Sequence, residues 1–181
     1  NGGAVFLSSP SDGKVRVLDI NGDSSGTIGR SGNGPCEFRS VTDFAPVSER
    51  ATAIAEARQG RLQVCEQGSG PGVTLLVPGQ ILALSAAGAD SIVFAAKVGI
   101  DTIAVFRVAW TSQTQGFVLV DTLAIWRTDT IAVRLNQRKS QIPILTVRRN
   151  GTMIAASSAD STFRILAFSP GGEISVLADR V

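Results

Sequence analysis

The chain contains no histidine, and its two cysteines, Cys36 and Cys65, lack the Cys-x-x-Cys spacing of a metal ribbon. A zinc site and any mechanism that needs imidazole are therefore not expected. Read from the residues alone, the two cysteines are expected as isolated small apolar residues rather than a disulfide. The charged residues best placed for a ligand contact are Glu56, Arg58 and Arg61, clustered around one short hairpin turn. Opposite charges across a strand pair contribute up to ~1 kcal/mol, so Glu56 and Arg61 also have a sufficient structural role. Gly29-Arg30-Ser31-Gly32-Asn33-Gly34 has the composition of a phosphate-cradling loop, but it lacks a Lys and a following helix, so a turn is the expected reading. Asp101, Asp121 and Asp129 offer hard oxygen ligands of the kind Ca²⁺ takes, although Asp before Thr at a strand start is also an ordinary turn residue. Arg134, Arg138, Lys139, Arg148 and Arg149 fall in a stretch, 130–159, that has no Asp or Glu. No aromatic residue lies there to stack on bases, so a solvated exterior is expected before nucleic acid. Trp110 and Trp126 sit inside apolar strand patterns, which points to packing rather than to a sugar platform.

The elements that would position these groups read as strands. Of 181 residues, 44% are hydrophobic and 18% charged, which suits one folded domain with a sizeable core. A net charge of +2 is too small to imply a polyanionic partner. No uninterrupted apolar run reaches the ~18 residues of a spanning helix. Apolar runs rich in Val, Ile and Thr recur between Gly, Pro and Asn-Gly punctuation: 4–9, 14–20, 24–29, 41–47, 51–56, 61–68 and 73–77 in the first half. Short runs follow at 80–84 and 91–96, then 101–110, 117–126, 143–147, 152–158, 162–169 and 173–178. The pentapeptide Asp-Thr-Ile-Ala-Val occurs at 101–105 and at 129–133. Its β-branched density predicts a strand entry at both places, over the alternative of a helix cap.

Three stretches align on their alternating strands: Lys14-Val15-Arg16-Val17-Leu18-Asp19, Arg61-Leu62-Gln63-Val64-Cys65-Glu66 and Arg164-Ile165-Leu166-Ala167-Phe168-Ser169. The first spacing is a single period of about 40–50 residues and the second about two, the signature of propeller blades. Ile28 to Phe38, IGRSGNGPCEF, follows the first alternating strand. Together these residues resemble the blade junctions of NHL-type six-bladed β-propellers. Those carry a strand ending Val-Ala-Asp, a turn, Arg-Ile-x-x-Phe-Asp-x-x-Gly, and a Gly-Pro-Gly-x-Phe linker. Ala55-Glu56, Arg61-Leu62 and Gly34-Pro35-Cys36-Glu37-Phe38 stand in those places, with departures at Glu56 and Cys36. The resemblance covers 1–70 and 141–181; the middle is placed by spacing.

The resemblance implies an all-β fold, a β-propeller of four-stranded antiparallel blades around a channel. At about 47 residues per blade the chain makes about four blades of an expected six. Repeat units are expected at about 1–38, 39–78, 79–136 and 137–181. A strand pattern begins at once and another still runs at Val176-Leu177, so a part of a longer chain is expected. The function implied is non-catalytic binding or scaffolding in an extracytoplasmic (periplasmic or secreted) bacterial protein, with an unknown protein or small-molecule ligand and no cofactor. The alternatives are a calcium-dependent lactonase-type propeller, in which Ca²⁺ would be the cofactor, and an RNA-binding NHL-type propeller.

Overall fold

The computed structural model of the chain describes residues 4–180 apart from 10, 49–50, 69–71, 89, 112–115, 129, 132–143 and 160–161. Seventeen strands among the described residues form four antiparallel sheets in chain order and one two-stranded link. The first sheet is β1 (Val5–Ser8), β2 (Val15–Leu18) and β3 (Ser24–Ile28). β4 (Arg30–Ser31) and β5 (Glu37–Phe38) pair in parallel and lead to the second sheet. That sheet is β6 (Asp43–Pro46), β7 (Ala51–Glu56), β8 (Arg61–Glu66) and β9 (Val73–Leu76). The third is β10 (Gln80–Gly88), β11 (Ser91–Lys97), β12 (Thr102–Thr111) and β13 (Gly116–Arg127). The fourth is β14 (Ile144–Val147), β15 (Met153–Ala159), β16 (Thr162–Phe168) and β17 (Ile174–Arg180). Strand order within every sheet is the order along the chain, so each is a meander of hairpins.

The sheets stack face to face, and strand alternation decides which neighbour each side chain meets. In the second sheet Ile54 and Cys65 join Val15, Val17 and Ile28 of the first. Their sequence neighbours Ala53, Ala55, Leu62 and Val64 turn the other way and pack on Ile92, Phe94 and Ala96 of the third. Val93, Ala95 and Val105 of the third sheet in turn meet Met153, Ala155 and Leu166 of the fourth. Trp110 is buried between sheets two and three, and Trp126 packs edge-on against Phe168 at 5.4 Å between sheets three and four. The first strands of successive sheets lie side by side, with β10 between β6 and β14.

Among the described residues the first sheet has no counterpart of β6. Ser8 pairs with Val15 as Ala55 pairs with Leu62, so β1 occupies the place of β7. Among the described residues nothing pairs with its free edge, and Val5 and Leu7 are 47% and 49% exposed, whereas β7 is buried throughout.

Three sequence expectations change here. The run at 80–84 continues through Gly88, because β10 carries register shifts at Ile81/Ala83 and Ala86/Gly88 that let it follow β11 past the small residues. The second Asp-Thr-Ile-Ala-Val is not a strand entry: Thr128, Thr130 and Ile131 are helical. The Thr128 N–H is held by the Asp101 carbonyl at 2.9 Å, which ends the sheet, and Ile131 then drops into the core between sheets three and four. Cys36 and Cys65 are not isolated but form a disulfide, because the link passes over β8 and brings their Cα atoms to 5.7 Å.

The β7–β8 hairpin turns through a short 3₁₀ segment, Ala57–Gln59, closed by Gly60 at φ +58°. A Cβ at Gly60 would collide with the carbonyl oxygens of Val77 and Gly79. Gly60→Ala is expected to cost about 2 kcal/mol or more in urea unfolding, from left-handed backbone strain plus that collision.

Candidate functional site

Glu56 and Arg61 face each other across the last pair of the β7–β8 ladder. Both sheet faces here are covered, so the pair is buried: Glu56 is 1% exposed and Arg61 8%. The Arg61 guanidinium forms an ion pair with the Glu56 carboxylate and also donates to the backbone carbonyls of Asn33, at 2.7 Å, and Glu37. The other Glu56 oxygen accepts the backbone N–H of Arg39 at 2.7 Å and of Ser40 at 3.3 Å. Every partner beyond the pair itself belongs to the link between sheets one and two. Arg58, the third candidate, is exposed on the turn.

Gln63, on the next turn of the same face, extends this clamp. Its Oε1 accepts the Cys36 N–H at 2.9 Å and the Thr74 hydroxyl at 3.1 Å, and its Nε2 donates to the Glu37 carbonyl. It is fully buried. The sequence carries no clear signal for it: Gln63 alternates with Leu62 and Val64 and shares its face with Arg61, the pattern of a solvated face, and only burial against the link makes its amide need partners. The disulfide completes the attachment, and Cys36 takes φ +53° to make it.

The Gly-rich loop is an anion cradle whose anion is internal. Glu37 Oε2 accepts the N–H groups of Asn33 and Gly34 at 3.1 and 2.8 Å, and Oε1 accepts Arg30 Nε at 2.8 Å. A Cβ at Gly32 would collide with that carboxylate. The Gly34 N–H and then Arg30 hold the Glu37 carboxyl below its ordinary 4.5. Asp43 behaves oppositely. Burial raises its pKa, partly offset because it accepts the N–H groups of Leu84 and Phe44, which ties sheet two to sheet three.

The remaining candidates are dispersed. Asp101 Oδ1 accepts the Thr128 hydroxyl at 3.2 Å, Asp121 lies on β13 opposite Arg107, and Asp129 lies outside the described residues. Among the described residues no group of three or more His, Cys, Asp or Glu side chains converges. Arg148 and Arg149 are exposed on the turn before β15, and the Arg149 carbonyl accepts Arg107 Nη2 at 3.3 Å. Arg134, Arg138 and Lys139 lie outside the described residues. No described helix is long and apolar enough to cross a membrane.

No known family's profile matches the sequence. No curated protein matches it either. Solved structures do. The β-propeller domain of Cps50 (Swd1) from Myceliophteria thermophila superposes with a TM-score of 0.50 at 7% identity, over 99% of this chain and 75% of that one. The fold is a β-propeller. Its four sheets are blades, and among the described residues the first has three strands. A Lactobacillus plantarum protein matches with a TM-score of 0.48 at 15% identity over 97% of this chain, which spans 53% of that protein's length. A Bacteroides fragilis protein matches at 0.45 and 12%, over 96% of this chain and 68% of that one.

Removing Glu56 strands the Arg61 charge between blades. Glu56→Ala is expected to cost about 3–5 kcal/mol in chemical denaturation, against under ~0.5 kcal/mol for the exposed Arg58→Ala. Because the folded pKa of Glu37 is depressed, its stabilisation is complete above the unfolded value and is lost as pH falls through the folded one. The melting temperature of Glu37→Gln, measured against pH, is expected to lie below wild type at pH 6 and to converge with it below 4.5.

Proposed function

We propose that the chain is part of an NHL-like, six-bladed β-propeller that binds or scaffolds without catalysis, outside the cytoplasm of a bacterium. The observation that carries the reading is where the charged groups are spent. Glu56 and Arg61, two of the candidate residues, and with them Glu37, are satisfied by one another and by groups of the link between blades one and two. They build the frame and present no reacting atom to a substrate. What remains outside are hairpin turns and outer strands, with exposed apolar residues at Leu76, Val118 and Val176. Such surfaces suit a protein or small-molecule ligand contact. The location is supported by the disulfide, since thiols of this kind stay reduced in most cytosols.

The test uses the protein from its native source, alkylated without reductant. The reading expects Cys36 and Cys65 unalkylated, both alkylated after reduction, and recovery in the envelope or culture fluid. Free thiols in a cytosolic fraction would overturn the location, and Ca²⁺-dependent hydrolysis of a lactone would overturn the non-catalytic role. Cys65→Ser is expected to cost about 2–4 kcal/mol in stability, the usual effect of losing a native cross-link.

A further inference from the structure

A pocket of about 240 Å³ opens between blades two and three, and every residue lining it is apolar. Its floor is the buried core of that joint, Phe94 and Val108. Its walls are the half-buried Leu75, Phe106 and Phe117, and Leu119 stands on its rim, 59% exposed. The rings of Phe94 and Phe106 are already in contact, at 5.4 Å between centroids.

The pocket has a cause in the chain path. Between blades one and two the link, residues 29–42, pushes Cys36 and Phe38 into the joint. Between blades two and three the connection is only Val77, Pro78 and Gly79. Val77 reaches the core and Pro78 one wall, and among the described residues no further part of the connection enters the space between β9 and β13.

We propose that this pocket binds the hydrocarbon part of a small molecule, an aryl group or short alkyl chain carrying no hydrogen-bonding group at its buried end. The lining selects for that chemistry. A peptide amide or hydroxyl inserted there would lose its water with no partner to replace it. The volume admits it: an apolar cavity of about 150 Å³ already takes benzene, so 240 Å³ holds a ring with further carbons. The pocket is a cleft between two blades, lined by β9 and β11–β13 and by the connection after β9.

The experiment titrates the full chain with N-phenyl-1-naphthylamine, an uncharged dye that brightens in apolar sites, and follows fluorescence and melting temperature. Saturable binding at one site per chain and a raised melting temperature are expected. Leu119→Trp, which fills the mouth, and Leu119→Lys, which charges the rim, should each weaken binding about tenfold or more. Both change a side chain that is mostly exposed, so folding is retained. Val176→Lys, an equally exposed apolar position on blade four, should leave binding unchanged. No saturable binding, or equal loss in Val176→Lys, would overturn the proposal. So would sedimentation showing a dimer without dye that Leu119→Lys dissociates, because the pocket would then be covered by a second copy.

Discussion

Strands β7 and β8 have almost no solvent face, and the rest of the structure follows from that. A strand has two faces, and here each face belongs to a different blade, so alternation sorts side chains between two cores instead of between core and water. Small residues suit such a position. Ala51, Ala53 and Ala55 let blade three approach, and Ile54 and Cys65 reach back to blade one. Polar groups survive there only when every bond is supplied. Glu56, Arg61 and Gln63 meet that condition because a segment of backbone, the link, lies within reach of all three. A buried ion pair is weak evidence for net stability by itself, since desolvation offsets the attraction. Its effect here is positional: Arg61 holds the link by the carbonyls of Asn33 and Glu37.

How much of this is legible in the sequence depends on whether the signal is local. The meander of hairpins was legible, since alternation at Lys14–Asp19 and Arg61–Glu66 and the Asn-Gly turn are contained within a few residues. The spacing of similar strands carried the propeller reading. The disulfide was not legible. Cys36 and Cys65 are brought together only by the path of the link across β8, and their separation of 29 residues says nothing about that path. Glu37 was passed over for the same reason: an acidic residue after a Gly-rich loop reads as solvated until the loop folds back around it. The two copies of Asp-Thr-Ile-Ala-Val show the limit most plainly. Thr102 and Ile103 enter a strand whereas Thr130 and Ile131, the same pair in the second copy, are helical, because Thr102–Thr111 has β11 and β13 on either side while Thr128 is held back by Asp101. Tertiary pairing overrides propensity.

Connection length then decides the chemistry of each joint. Blades that radiate from one line of inner strands leave wedge-shaped spaces between them, and interiors at native density do not tolerate voids. The joint between blades one and two is closed by its long link, which brings Phe38 and the disulfide and needs the ion pair and Gln63 to anchor its backbone. The joint between blades three and four receives Ile131, fully buried, from the residues that follow β13. The joint between blades two and three has three connecting residues, of which Val77 enters the core and Pro78 lines the pocket. So short a connection has little backbone to anchor, and the Gly60 carbonyl takes the Val77 N–H at 2.6 Å. The wedge is then left to the side chains of β9 and β11–β13, Leu75, Phe94, Phe106, Val108 and Phe117 among them, and those are apolar because the same strands build the core beside it.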